Sequence, residues 1–338
     1  MFGTKILVTG GAGYIGSHTV AALHQAGYRC VIVDNLSRTE LRMLEALGQI
    51  TGEDLPFYPI DCTDPAALAS VFRAHPDIAG VIHFAAYKAV GESVEIPTTY
   101  YRNNIGSTAV LLDVMREHGV QQLVFSSSCT VYGEPERIPV DEHAPILPAQ
   151  SPYGYTKQVC EQLIRDESAA RPELRASLLR YFNPIGAHPS ALLGELPLGK
   201  PNNLIPFLTQ AVAGWREPLT LFGDDYPTPD GTCIRDYIHV MDLAEAHVAA
   251  LKHLPTAGWD VFNLGTGKGH SVKEVVSTFE AVNGLPVPHR IGPRRAGDVI
   301  AIYADPSKAQ AAWGWSTKRQ LGEALRDAWR WQQQLKKA

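Results

Sequence analysis

Tyr153 and Lys157 stand four residues apart in Tyr-Gly-Tyr-Thr-Lys, and Ser128 lies 25 residues upstream. In a helix that spacing is about one turn, so both side chains leave the same face. A free tyrosine titrates near pH ~10. An ammonium held close by favours the phenolate, which lets the tyrosine act as a base nearer neutrality. The spacing alone is equally that of an ordinary surface helix, so its meaning rests on the elements that precede it.

The first of these is Thr9-Gly-Gly-Ala-Gly-Tyr-Ile-Gly16. Lys5 to Val8 before it reads as a short buried strand, and Tyr14 to about Gln25 after it as a helix with Ile15, Val20 and Leu23 on its apolar side. Gly10, Gly13 and Gly16 then sit in a strand-to-helix turn. Glycine allows the tight turn and the close approach of a pyrophosphate, which the helix N-terminus attracts with free N–H groups and its dipole. A second apolar run, Cys30 to Val33, ends at Asp34, 18 residues after Gly16. A carboxylate there accepts hydrogen bonds from ribose hydroxyls and repels a 2′-phosphate, which favours NAD over NADP. A glycine-rich turn that binds nothing is the plainer alternative; strand, helix and Asp34 in register argue against it.

Strand-like runs recur near residues 5–9, 30–34, 56–60, 79–84, 121–126 and 175–181, with helical patterns between them. Alternating β and α over this length predicts an α/β fold of Rossmann type, a doubly wound parallel sheet with helices on both faces. Ligands gather at the carboxyl ends of such strands. Gly10, Asp34, Asp61-Cys62, Phe84-Ala-Ala86, Ser126-Ser-Ser128 and Tyr181-Phe-Asn183 each follow or end one of the six runs. Past residue 183 the texture changes to proline, glycine and asparagine. Short elements follow: Ile234 to Val240, helices near 242–251, 272–282 and 320–335, and a strand at 261–264. The expected division is an NAD-binding domain of residues 1–183 plus about 236–264, and a smaller substrate lobe of 184–235 and 265–338.

Thirty basic and 35 acidic residues leave a net charge of −5, and no basic stretch is dense enough for nucleic acid. No apolar stretch approaches the ~18 residues that would span a bilayer. No signal-peptide pattern precedes the first strand. The five cysteines (30, 62, 129, 160 and 233) show no metal-binding spacing and read as reduced thiols of a cytoplasmic protein. No metal site is expected; the 12 histidines are scattered.

Together, Gly10 to His18, His83 to Ser93, Ser126 to Gly133, Ser151 to Lys157, Arg180 to Ser190, Pro201 to Leu204 and Phe222 to Leu243 resemble the extended short-chain dehydrogenase/reductase superfamily. Within it they resemble the UDP-glucose 4-epimerase family over nearly the whole chain. The resemblance implies a tightly held NAD that takes a hydride from C4 of a UDP-sugar and returns it to the other face of a 4-keto intermediate. UDP-galactose and UDP-glucose are thereby interconverted, as in galactose metabolism. It implies that Tyr153 is the base, that Ser128 relays the proton, and that Lys157 binds nicotinamide ribose and lowers the Tyr153 pKa. The implied cofactor contacts are Gly10, Gly13, Tyr14, Ile15, Asp34, Asn35, Asp61, Cys62, Phe84, Ala85, Ala86, Lys88, Asn103 and Phe182, besides Ser128, Tyr153 and Lys157. Cys62 stands at a main-chain contact position. Substrate contacts would be Lys88, Ser128, Tyr153, Asn183 and Asn203, with Arg235 and Arg295 on the diphosphate and Ile302 beside the sugar C2 substituent. For Arg235 an ordinary salt bridge to Asp224, Asp225 or Asp236 is the alternative.

The chain departs from the family pattern in three places. Ala296 stands where relatives often have glutamate. Ile302 stands where several have an aromatic residue, so N-acetylated sugars such as UDP-GlcNAc and UDP-GalNAc should be tolerated unless Tyr303 fills the same space. Cys129 follows Ser128 at a position commonly small. The nearest enzymatic alternative is another nucleotide-sugar epimerase or a 4,6-dehydratase. A dehydratase needs an Asp-Glu pair after the catalytic Ser or Thr, and here those positions are Cys129 and Thr130. A non-catalytic NAD sensor would usually lack the tyrosine or lysine. Extra apolar positions on the helices around Val110–Met115 and Lys157–Ile164 fit an oligomer interface or, more commonly, core packing; the resemblance implies a homodimer through these two helices.

Overall fold

The computed structural model describes residues 3–295 and 298–337; the expectation for Ala296 lies outside them. Seven parallel strands form the central sheet: β1 (Lys5–Thr9), β2 (Arg29–Val33), β3 (Phe57–Tyr58), β4 (Ile78–His83), β5 (Gln122–Ser128), β6 (Arg175–Tyr181) and β7 (Gly258–Leu264). Their order is β7-β6-β5-β4-β1-β2-β3, so the sheet reverses direction between β1 and β4. That switch point opens a crevice at the carboxyl ends of both strands. The inner strands are buried on both faces, which is why they read as unbroken apolar runs. The edge strand β3 is only two residues long, because Pro56 and Pro59 on either side have no N–H for the ladder.

The helices that matter to the site are α1 (Tyr14–Gln25), α2 (Gly106–Glu117), α3 (Pro152–Ala170), α4 (Leu204–Val212), α5 (Val240–Lys252), α6 (Val272–Asn283) and α7 (Leu321–Lys337). Helix α3 starts where the sequence tells it to. Ser151 caps it, accepting from the Gly154 N–H at 3.1 Å, and Pro152 takes the first position, where no N–H is needed. Helix α6 starts with a reciprocal capping box between Ser271 and Glu274. A five-residue π-helix, Tyr101–Ile105, leads into α2.

Two apolar cores lie on the two faces of the sheet. One joins Ile6, Val8 and Ile32 to Leu23 of α1 and Leu243 of α5; the other joins Leu7, Val31 and Val81 to Leu111 of α2 and Ile164 of α3. A third packs Leu208, Leu221, Val275, Phe279 and Leu325 beyond the sheet. Ala187, Leu193, Trp315 and Trp331 belong to the first core, so the later part of the chain folds back onto the sheet. Among the described residues no helix is long and apolar enough to cross a membrane.

Candidate active site

The turn after β1 is built for close approach. Gly10 has φ +68°, and a Cβ there would lie 2.7 Å from the Ala85 nitrogen and 2.9 Å from the Phe84 carbonyl carbon. A Cβ on Gly13 would lie 3.1 Å from the Gly10 oxygen. No side chain caps α1, and its first turn carries no acid. Its leading N–H groups are therefore open to an anion. At the end of β2 the Asp34 carboxylate accepts from the N–H groups of Ala12 (3.2 Å) and Leu36 (2.9 Å), which fixes it beside the turn. Burial raises its pKa, and those backbone donors oppose the rise. Asn35 donates to Asp61 at 3.0 Å, tying the loops after β2 and β3 together.

These groups line a cavity of about 290 Å³ that runs over the switch point to α3. Of the expected cofactor residues, Gly10, Gly13, Tyr14, Ile15, Asp34, Asn35, Asp61 and Cys62 lie along it. So do Phe84, Ala85, Ala86, Lys88, Asn103, Tyr153 and Lys157. A glycine cradle, an open helix N-terminus and a ribose-length carboxylate at the next strand end fit a dinucleotide such as NAD. Ser128 and Phe182 sit outside the lining.

At the far end Tyr153 and Lys157 leave one face of α3, both buried. Burial pushes the Tyr153 phenol up to about 12, and a hydrogen bond with Ser128 works the other way. Lys157 donates to the Ser126 carbonyl at 2.6 Å. Burial pushes its ammonium down to about 8. Within the protein's own groups, then, desolvation outweighs the expected lowering of Tyr153 by Lys157, and Ser128 is the partner that lowers it. Cys129 is half-buried, desolvation pushes its thiol up to about 12, and the Thr130 hydroxyl is buried without a hydrogen-bond partner. Neither position supplies the acid–base pair a dehydratase needs.

The substrate residues divide into two groups. Asn203 and Lys88 converge in the cavity on one oxygen of Glu195, at 2.6 and 2.9 Å. Arg235 and Arg295 converge elsewhere, on Oδ1 of Asp298, at 3.6 and 2.6 Å. The partner of Arg235 is thus none of the three expected aspartates. Arg294 turns away, bonding Asp225 at 2.7 Å and stacking over Tyr226, which leaves Arg295 as the member of the pair that faces Arg235. Ile302 pairs in register with Arg235 and is buried beside Phe182 and Tyr132. Asn183 is exposed on the short strand after β6 and pairs with Tyr237.

Sequence reasoning missed several groups. Asn104, in the π-helix, accepts from the Tyr87 N–H at 2.8 Å and donates to the Tyr87 carbonyl and to Thr156 Oγ1, each at 3.0 Å. It fixes the Lys88 loop to α3. Arg38 forms a two-pronged bond with Glu92 at 2.8 and 3.0 Å, and Tyr100 donates to Glu92 at 2.7 Å, forming a bridge along the cavity wall. Only the repeated Asn-Asn within a helical pattern gave any hint of the first.

A doubly wound sheet with this turn and a Ser–Tyr–Lys set at its open end defines a class: dinucleotide-binding proteins equipped for proton transfer at a hydroxyl. The profile of the NAD dependent epimerase/dehydratase family matches residues 6–265. The UDP-glucose 4-epimerase of Bacillus subtilis (strain 168) is 54% identical over 97% of this chain and 96% of its own length. The crystal structure of the Bifidobacterium longum UDP-glucose 4-epimerase in complex with NAD+ and UDP superposes with a TM-score of 0.95 at 47% identity, covering 98% of each chain. That of the UDP-Glc/GlcNAc 4-epimerase of Campylobacter jejuni has a TM-score of 0.84 at 39% identity, covering 98% of this chain and all of its own. The chain belongs to the NAD dependent epimerase/dehydratase family, and within it to the UDP-glucose 4-epimerases.

Proposed function

We propose that the chain interconverts UDP-galactose and UDP-glucose by epimerisation at C4 through a 4-keto intermediate. The observation that carries this reading is that Tyr153 and Lys157 line the same cavity as the Gly10–Gly16 turn and Asp34. NAD, when bound, supplies the acceptor and donor of a hydride and a positive charge at the reacting end. The glycine turn and Asp34 would hold its pyrophosphate and ribose. Tyr153 takes the proton from the sugar O4 and returns it. Ser128, whose hydroxyl favours the phenolate, shares that proton and orients the hydroxyl. Lys157 keeps a cation beside them, held by the Ser126 carbonyl. Lys88, Asn183 and Asn203 contact the substrate, and Arg235 and Arg295 grip its diphosphate, for which planar guanidinium forks are suited. Such redox is internally balanced, so a tightly held cofactor need not leave.

Residues 1–183 with about 236–264 form the NAD-binding part, in keeping with β7 in the main sheet. Residues 184–235 and 265–338 form the UDP-sugar lobe, in keeping with the third core. Five free cysteines, four of them buried, suit a reducing, cytoplasmic compartment. Incubated with UDP-galactose and no added NAD, the purified protein is expected to form UDP-glucose without net NADH; NADH accumulation would point to a dehydrogenase instead. The same assay with UDP-GalNAc is expected to give measurable UDP-GlcNAc. Ile302 is smaller than an aromatic residue, and the Tyr303 ring lies against Gly269. No turnover of the acetylated sugar would sink that part alone.

The chain assembles as a homodimer through α2 and α3, although Leu111, Leu112, Val114, Met115 and Ile164, expected on an outer face, pack into the second core. Tyr155 on α3 is half exposed and meets Tyr101 edge-on at 6.1 Å, and Val94 and Ile96 nearby are exposed. Light scattering at working concentration is expected to give about twice the 36.9 kDa chain mass. A monomer mass refutes it.

A further inference from the structure

Helix α3 carries a third ionisable side chain on the face of Tyr153 and Lys157. Glu161 is one more turn along, and it is buried. Its Oε1 accepts from Ser127 Oγ at 2.6 Å and from Arg180 Nε at 2.8 Å. Its Oε2 accepts from a terminal nitrogen of Arg180 at 2.6 Å and from Arg165 at 3.2 Å. Arg180, on β6, is itself 1% exposed, with its guanidinium over the Tyr132 ring at 4.8 Å. Tyr132 in turn donates to Asn263 of β7 at 2.7 Å. One carboxylate thus ties the catalytic helix to β5 and β6, and through Tyr132 to β7.

The tie meets the sheet beside the chemistry. Ser127 lies between Ser126, whose carbonyl holds Lys157, and Ser128, whose hydroxyl favours the Tyr153 phenolate. A buried bidentate pair is costly to desolvate, so its presence is weak evidence of a gain in stability. What it fixes here is the rotation and height of α3 over β5, and it sets a negative charge one turn from the Lys157 ammonium.

We propose that Glu161, locked by Arg180 and Ser127, is a positioning residue for the epimerase: it holds Lys157 and Tyr153 in register with Ser128 and keeps Lys157 charged. This rests on the C4-epimerase reading above. The charged surroundings support the electrostatic half. On its own helix Lys157 faces Cys160 and Glu161, both of which favour the ammonium. Across the sheet His83 of β4 faces it, and that imidazole is buried and neutral, pushed down to about 3. Phe125 of β5 places its ring 4.9 Å from the ammonium. Tyr153 faces Cys129, Cys160 and, from β6, Tyr181, all neutral near pH 7 because burial raises them. Arg180 and Arg165 face Glu161. Glu161 is therefore the carboxylate on the Lys157 face, held in place by Arg180, Arg165 and Ser127.

The sign follows. A buried ammonium loses its proton as pH rises, and a neighbouring carboxylate delays that loss. Glu161→Gln keeps the shape of the side chain and removes the charge. It is expected to lower kcat about 30-fold at pH 7.5 with less than a threefold change in KM, and to move the alkaline limb of kcat to lower pH by about one unit. Glu161→Asp keeps the charge and shortens the reach, so kcat should fall while the limb stays in place. If Glu161→Gln leaves Arg180 unpaired and fails to fold, Glu161→Gln/Arg180→Met removes both charges, and its alkaline limb should move the same way. A lysine-selective 13C NMR titration reads Lys157 directly. In the Gln variants its midpoint should fall below that of the wild type, whether or not the protein epimerises UDP-galactose. An unmoved Lys157 midpoint and limb would overturn the proposal. Failure of the wild type to epimerise would overturn only the functional reading beneath it.

Discussion

Tyr153→Phe is expected to lower kcat for UDP-galactose about 10³-fold, with KM and bound NAD nearly unchanged. General acid–base catalysis by a placed side chain contributes about 10²–10⁴-fold. This site calls for the middle of that range, because Ser128 remains to orient the hydroxyl but cannot accept its proton at neutral pH. Phenylalanine fills the same volume, and Tyr153 is 9% exposed, so no cavity opens. Losing one hydroxyl's hydrogen bonding costs about 1 kcal/mol, too little to unfold the protein. Other phenols cannot readily substitute. Tyr181 lines the cavity too, but its hydroxyl is held by Ser126 Oγ and burial pushes its pKa up. Steady-state kinetics on protein of verified NAD content decide the matter. A variant with the full rate would place the base elsewhere.

The Tyr153 pKa in this site makes the cation beside it necessary. Burial alone leaves the phenol neutral at pH 7, at about 12. The base must then form from a combination of Ser128, the Lys157 ammonium and the positive charge of the oxidised cofactor. Burial shifts both residues of this helix face against their working states, Tyr153 upward and Lys157 downward.

That pairing was legible in the sequence because it is local, and helical spacing fixes which side chains share a face. The sheet was legible for a related reason: strands buried on both faces leave apolar runs, and the run at 261–264 is the visible half of β7. Chemistry at the strand ends followed from the topology. What was not legible is non-local. Glu161 and Arg180 are 19 residues apart, and nothing in the charge pattern says that this glutamate is buried. Arg235 had three nearby aspartates to choose from and took Asp298, because a short strand at Ala301–Ile302 brings that segment alongside it. The π-helix at Tyr101–Ile105 has no sequence period of its own, so Asn104 was hidden within a helical pattern.

Gly16→Ala is expected to empty the cofactor site. Gly16 is buried in the first turn of α1, and a Cβ there would overlap the Gly10 carbonyl oxygen and come within 2.9 Å of Gly11 Cα. These are backbone atoms of the turn itself and cannot swing aside as a flexible side chain would. Alanine favours a helix over glycine by up to about 1 kcal/mol. Overpacking a tight site costs about 1–3 kcal/mol, so the clash wins. Helix α1 can relieve it only by moving its N-terminus off β1, and that displaces the N–H groups aimed at the pyrophosphate. NAD affinity should fall at least about 100-fold, and the purified protein should carry little cofactor by its absorbance ratio or by calorimetric titration. Gly91→Ala is the matched control: it too lies in a helix, and its added Cβ meets nothing within 4 Å. That variant should keep its NAD. Equal cofactor content in both variants would mean that the close packing of α1 on the turn does not govern binding, and the anion site would then have to be sought in side chains such as Lys88 rather than in the backbone of the turn.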